Sequence, residues 1–340
     1  MMVNVGRLLT FVSSTALSFI GSFLFAAILV LLPHLDGIPQ YGSALFFAGA
    51  GFGILDVSMN TTASLLETRA SRHIMSKLHA LFSIGNLLGA FLIGRLLSQG
   101  RSLEMCLGAS GAAVLLFSAI GSFATIGSGL HAASEEPSGD GSQNFLTGLQ
   151  KRYLYVLGIV AFLAFFAEGA ILDWSAIYIV SEIGMSESVG AYGFATFACS
   201  MAASRLLGDL IVKRAGPINL MLASSACCAV ALLALILVND VFLAFVALAI
   251  AGIGVANIIP TVFSVAGRKG GAAAGRAMSI VTTTGYAGLL LGPALLGFVA
   301  QHFSLVTSFC VVLAGIVAIF ITTWGLGDHP ISSPHTQEQN

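Results

Sequence analysis

Read for its order of apolar and polar positions, the chain is a series of long apolar runs separated by short polar breaks. A helix that crosses a bilayer needs roughly 20 predominantly apolar residues. Runs that meet this rule occupy 8–32, 41–64, 78–98, 104–128, 154–179, 188–211, 217–238, 241–265, 277–300 and 303–326, which predicts about ten transmembrane helices. The breaks hold turn formers and charges, as in Pro33-His34-Leu35-Asp36-Gly37 and Asn239-Asp240. The first run follows Arg7 as a secretory leader would, but it outruns the roughly 7–15-residue apolar core of a leader and reads as a span. One break differs from the rest. Around Ser134-Glu135-Glu136-Pro137-Ser138-Gly139-Asp140-Gly141-Ser142 the chain is polar and too poor in apolar residues to build a core. The expected organisation is a bundle of four helices over 1–130, a cytoplasmic linker over 131–151, a six-helix bundle over 152–328 and a polar tail over 329–340.

Composition turns this pattern into a class. Of 340 residues, 57% are hydrophobic and 9% charged, and the mean hydropathy is +0.95. Soluble domains carry roughly 25% charged residues, so this chain could not cover its own surface in water. Its fold class is all-α and integral to the membrane, with the lipid bilayer as its solvent. The net charge of -1 says nothing about partners, but no basic stripe is present that would bind nucleic acid. Cys106, Cys199, Cys227, Cys228 and Cys310 lie inside apolar runs at spacings that fit neither a zinc site nor a disulfide framework. No metal, cofactor or catalytic residue is expected. Charge asymmetry sets the orientation. Twelve of the 14 Lys and Arg residues fall on one face of the predicted topology, and only Arg95 and Arg101 on the other. Basic loops stay in the cytoplasm, so both termini are expected there.

The two parts of the chain repeat one another. Ala48-x-Ala50-Gly51-x-Gly53 matches Ala249-x-Ala251-Gly252-x-Gly254, and Met75-Ser76, Gly85, Gly89 and Gly94 match Met278-Ser279, Gly288, Gly292 and Gly297. Both copies keep the same membrane direction, the parallel arrangement from which one large class of transporters is built. The alignment sets 41–64 opposite 241–265, 78–98 opposite 277–300, and 8–32 opposite 217–238. The helices at 154–179 and 188–211 are left without N-terminal counterparts.

Four segments carry a family resemblance: Gly51-Phe-Gly53-Ile-Leu-Asp56-Val-Ser-Met-Asn60, Met75-Ser76-x-x-His79-Ala80-x-x-Ser83-x-Gly85, Glu168-Gly169-x-x-x-Asp173-Trp174-Ser175, and Arg205-Leu-x-Gly208-Asp209 with Arg214-x-Gly216. Through them the chain resembles the major facilitator superfamily, and within it the bacterial fucose-permease-like branch. The resemblance implies a helical bundle on a six-plus-six plan, of which this chain corresponds to helices three to twelve, the first two being unmatched. It also implies a gating role for the cytoplasmic loop residues Arg205, Asp209 and Arg214. In the family an Asp stands directly before a basic residue in that loop. Here Asp209 lies earlier, ahead of Lys213-Arg214, and the N-terminal copy is reduced to Gly6-Arg7.

Charge inside a membrane helix costs at least about 2.5–3.5 kcal/mol at the centre, so an acid there is a functional candidate. Asp56 lies about 18 Å from the outer end of its helix core, counted at 1.5 Å per residue. Asn60 and Glu67 follow on the same stripe, with Glu67 read as a structural partner of Arg69 or Arg72. Glu168 lies about 21 Å from the inner end of its core, with Asp173 and Trp174 nearer the outer interface. His79, Ser83 and Asn86 form a second polar stripe. Asp56, Asn60, His79, Glu168 and Asp173 are therefore the candidates for proton coupling or for lining a substrate cavity. Arg205 and Asp209 are spaced to pair along one helix. Gly85 and Gly89, like Gly288 and Gly292, have the spacing of close helix packing. Asn257 and Pro260 could line the same cavity, or Pro260 could simply kink its helix.

The function expected is secondary active transport of a small solute, coupled to protons, by a monomer using alternating access. No G-x-x-x-x-G-K-[ST] loop occurs to bind a nucleotide. A truncated chain without transport is the alternative, and a membrane enzyme stands behind both. An enzyme would need a nucleophile–base pair or a metal cluster at one depth, and neither H-E-x-x-H nor G-x-S-x-G occurs.

Overall fold

A computed structural model describes residues 2–9, 11–127, 146 and 148–327. The polar tail and residues 131–145 and 147 of the linker expected over 131–151 lie outside the described residues, while 148–151 already belong to a helix. Among the described residues the chain is helical throughout, without a strand. In chain order the helices are α1 (Met2–Leu8), α2 (Ser14–Leu31), α3 (Ile38–Ala70), α4 (Met75–Ser98), α5 (Leu103–Gly127) and α6 (Gly148–Ser181). Then follow α7 (Glu187–Ala215), α8 (Pro217–Leu237), α9 (Val241–Ala256), α10 (Ile258–Gly270), α11 (Ala274–His302) and α12 (Leu305–Gly327).

Local sequence explains the boundaries. The apolar run from residue 8 does not form one helix, because Ser13 caps a new one: its Oγ accepts the Ala16 N–H at 3.3 Å. Asp240 does the same for α9, accepting from Leu243 N–H at 2.9 Å. Pro39 and Pro217 stand in the first turns of α3 and α8, where a missing N–H costs nothing. The run 241–265 breaks at Asn257. Pro260 accounts for this, since it can offer no N–H to the carbonyl four residues earlier, that of Ala256, and its ring crowds that carbonyl.

Nine helical stretches among the described residues are long and apolar enough to cross a membrane. One of them, Val241–His302, has 62 residues and spans α9 to α11. At 1.5 Å per residue it is about three times the roughly 30 Å apolar thickness of a bilayer, with a turn at Gly271–Ala273 inside it. Two crossings in that stretch reconcile nine stretches with ten spans. Large apolar side chains such as Phe23, Phe46, Phe91, Phe117, Phe123 and Leu290 point outward, which is stable against lipid and costly against water. The chain is a multi-pass membrane protein.

The helices group into two compact units. The first comprises Met1–Ala161, Arg205–Asp209 and Pro260–Ala287, the second Phe162–Ser204, Leu210–Ile259 and Gly288–Asn340. In the first, α2 and α3 lie so close that a Cβ on Gly21 would fall 2.7 Å from the Gly51 carbonyl oxygen. Only glycine allows that approach. In the second, Gly254 of α9 lies against the backbone of Cys228 in α8. Tyr178 of α6 donates from its hydroxyl to the Leu235 carbonyl at 3.2 Å and tilts its ring onto Phe309 at 4.7 Å between centroids.

Candidate functional site

The chemistry of the first unit begins on α3. Asp56, Asn60 and Glu67 are all buried there, on one face of the helix. The Asn60 amide donates to the Asp56 carbonyl at 2.9 Å and to its carboxylate Oδ1 at 3.1 Å. The same Oδ1 accepts the hydroxyl of Tyr286, on α11, at 3.1 Å. Tyr286 meets Phe52, one turn back from Asp56 on α3, edge to face at 6.0 Å, and Phe52 in turn packs on Phe25 of α2. The second carboxylate oxygen, Oδ2, is buried without a hydrogen-bond partner.

A second constellation closes the far end of α3. The start of α4 has Ile74 at its cap, with no side-chain cap of its own. A helix start leaves four N–H groups without intrahelical acceptors, and here two carboxylates take all four. Glu67 Oε1 accepts from Ile74 at 2.8 Å and Met75 at 3.0 Å. Asp209 of α7 accepts from Ser76 at 2.9 Å and Lys77 at 3.1 Å. The positive end of the α4 dipole adds to both contacts. The other Glu67 oxygen, Oε2, accepts the Ser264 hydroxyl of α10. Arg268, one turn on from Ser264, pairs its guanidinium with His73 Nδ1 at 3.1 Å. That contact requires His73 to be neutral at Nδ1. Burial, and then the Arg268 charge, hold the His73 pKa below its ordinary value.

Arg205 of α7 is buried and donates from Nη1 to Ser83 Oγ at 2.7 Å. Ser83 itself donates to the His79 carbonyl at 3.1 Å. His79 contacts the Met75 carbonyl through Nδ1 at 3.0 Å, so that nitrogen carries the hydrogen. Its ring stands edge-on to Phe263 of α10 at 5.6 Å. Asn86 and Arg214 are exposed.

The remaining candidates belong to the second unit. Glu168 is buried on α6, and Asp173 is exposed five residues further on. The Trp174 indole lies against α11 at Gly297 rather than standing clear of the protein, with Nε1 buried and unpartnered. Asn257 donates to the Ser204 carbonyl at 3.2 Å and Oγ at 3.1 Å, tying the α9–α10 break to α7. A Cβ on Gly288 would run into the Phe162 carbonyl, and one on Gly292 would meet the Phe166 ring at 3.4 Å. At Gly85 and Gly89 a Cβ would meet nothing within 4 Å.

Four of these partners are not singled out by sequence patterns: Tyr286, Ser264, Arg268 and His73. The repeat held a signal for two of them. Carrying its offsets through, Glu67 aligns with Arg268 and Ser83 with Tyr286. Among the described residues no group of three or more His, Cys, Asp or Glu side chains is placed to hold a metal ion.

The profile of the Major Facilitator Superfamily matches residues 1–274 and, in a second overlapping match, 157–340. The chain belongs to the major facilitator superfamily. An uncharacterized MFS-type transporter of Yersinia pestis is 36% identical over 281 residues, covering 82% of this chain and 69% of that protein. An uncharacterized transporter of Sinorhizobium fredii is 28% identical over 284 residues, covering 83% and 74%. Among solved structures, the E. coli fucose:proton symporter FucP superposes with a TM-score of 0.76 at 18% identity, over 95% of this chain and 86% of FucP. At that identity the likeness is one of fold. The superfamily is one of transporters, so solute transport is the function to which the fold and the relatives point.

Proposed function

We propose that this superfamily member moves a small polar solute by alternating access, coupled to protons, with Asp56 as the group that takes up and releases the proton. The observation that carries the reading is the Asp56 carboxyl. It is buried within a span, two neutral donors serve one of its oxygens, and the other oxygen is left bare. A permanently ionised carboxylate in that setting is costly. A carboxyl that gains and loses a proton at Oδ2 relieves the cost in one half of a cycle. Glu168, buried on α6, is the second candidate proton site. FucP, which shares the fold, is a fucose:proton symporter.

Alternating access also needs contacts that break and re-form between the repeats. Two contacts at the basic end answer this need: Asp209 of α7 on the start of α4, and Ser264 of α10 on Glu67 of α3. By the positive-inside rule that end faces the cytoplasm, with both termini there and the chain acting as a monomer in the inner membrane.

The test is counterflow in proteoliposomes over a panel of sugars, amino acids and carboxylates, followed by flux of the solute found with and without an imposed pH gradient. Wild type is expected to accelerate with the gradient. Asp56→Asn is expected to keep solute exchange and lose the acceleration, and Glu168→Gln to weaken it. Flux indifferent to the gradient in wild type, or an unchanged response in Asp56→Asn, removes the proton-carrying role.

A further inference from the structure

Resting on that reading of Asp56, we propose that Tyr286 is the residue through which the protonation of Asp56 is transmitted to the second repeat. Asp56 stands on α3, in the first repeat, and Tyr286 on α11, in the second. Of the two side chains that bond its carboxylate, Asn60 rides on the same helix and can transmit nothing between repeats. The Tyr286 hydroxyl comes from 230 residues away in sequence. Tyr286 is itself a titratable group, and it faces Asp56 from another helix.

Chemistry gives this contact two strengths. With Asp56 ionised, the phenol donates to a charged acceptor, a charge-assisted bond roughly twice as strong as a neutral one. A proton arriving from water adds at Oδ2, the oxygen without a partner, and forms an O–H bond there. Oδ1 then becomes the carbonyl oxygen of a neutral acid. The Tyr286 bond to it persists, weakened. A ligand moves a conformational equilibrium only through its difference in affinity for the two states, and this bond supplies such a difference for the proton. Packing keeps the geometry in register, because Phe52 holds the Tyr286 ring edge-on and is itself held by Phe25. The repeat-equivalent position on α4 is Ser83, which is engaged by Arg205 instead. The device therefore exists on one side of the pseudo-symmetric pair, as a single proton switch requires.

The experiment needs no solute. Full-length protein in lipid nanodiscs would carry Cys199→Ser, Cys227→Ser and Cys310→Ser, with spin labels at Arg72→Cys and Ala272→Cys on the exposed turns after α3 and α10. Infrared spectroscopy follows the protonated-carboxyl band with pH, and Asp56→Asn identifies which band belongs to Asp56. Electron–electron distance measurement follows the conformers over the same pH range. In wild type the conformer ratio is expected to change about tenfold as the band appears. Tyr286→Phe keeps the ring and its contact with Phe52, so it is expected to elute as a monodisperse protein and retain the band. Its conformer ratio is expected to change by less than about twofold. A full conformational response in Tyr286→Phe overturns the proposal, as does a wild type whose band titrates while its distances stay still. A wild-type spectrum without a titrating Asp56 band instead overturns the reading of Asp56, and the role of Tyr286 falls with it.

Discussion

Replacing Glu67 by alanine removes the acceptor for two backbone N–H groups, those of Ile74 and Met75, and for the Ser264 hydroxyl. Glu67 and Met75 are both buried, so bulk water does not reach these donors freely. A buried donor left without a partner costs about 1–3 kcal/mol, and two of them set a range of about 2–6 kcal/mol. Water entering the space of the deleted side chain recovers part of this, which places the cost at about 3 kcal/mol. At 1.4 kcal/mol per factor of ten, local opening of the α4 start becomes about 100-fold more frequent. Hydrogen–deuterium exchange in nanodiscs, read on peptides covering residues 73–80, measures that opening directly. Glu67→Gln keeps an amide oxygen for the two N–H groups and loses mainly the charge–dipole attraction, about 0.3–1 kcal/mol. Its exchange is expected to rise by less than about tenfold. Asp209→Ala exposes the next two amides, Ser76 and Lys77, by the same reasoning. Because one helix start opens as a unit, the double variant is expected to cost less than the sum of the two. Exchange in Glu67→Ala within about threefold of wild type would refute the claim that this carboxylate holds the helix start.

Other consequences follow from single contacts. Ser83→Ala removes the oxygen that accepts from the buried Arg205 guanidinium, and is expected to lower detergent stability by about 1–3 kcal/mol; unchanged thermal unfolding would count against that contact. His73 binds Arg268 only when neutral and has its pKa lowered by burial and then by that arginine. The folded state therefore holds fewer protons at His73 than the unfolded state, and the contribution is intact above the ordinary value of 6.5 and lost as pH falls below it. Wild type should lose more stability than His73→Asn between pH 7.5 and 5.5, on the order of 1 pH unit either side of that value; parallel losses would sink the assignment. Gly288→Ala drives a Cβ into the Phe162 carbonyl while Gly85→Ala meets open space, so only the first is expected to lose monodisperse protein in size-exclusion chromatography. Equal yields would show that α11 can shift away from α6 at no cost.

Much of this protein is legible without coordinates. Apolar runs of spanning length, separated by Pro, Gly and charged breaks, are enough to define the membrane helices, because the bilayer imposes one length and one polarity on every crossing. Asp56, Asn60 and Glu67 could be placed on one stripe, since helical spacing is local. The break at Asn257 follows from Pro260 by the same local chemistry. Partnership is not local. Glu67 pairs with the start of α4 and with Ser264, beyond its near neighbours Arg69 and Arg72, because a helix whose cap position is Ile74 must find acceptors elsewhere. Gly85 and Gly288 look alike in the repeat, yet only the second has a helix against it among the described residues, since spacing permits close packing without supplying the partner. Apart from its alignment with Ser83 in the repeat, Tyr286 reads in sequence as one aromatic residue among many. Bringing its hydroxyl to Asp56 takes two helices 230 residues apart, and a hydrogen bond of about 3 Å is decided by packing that no periodicity encodes.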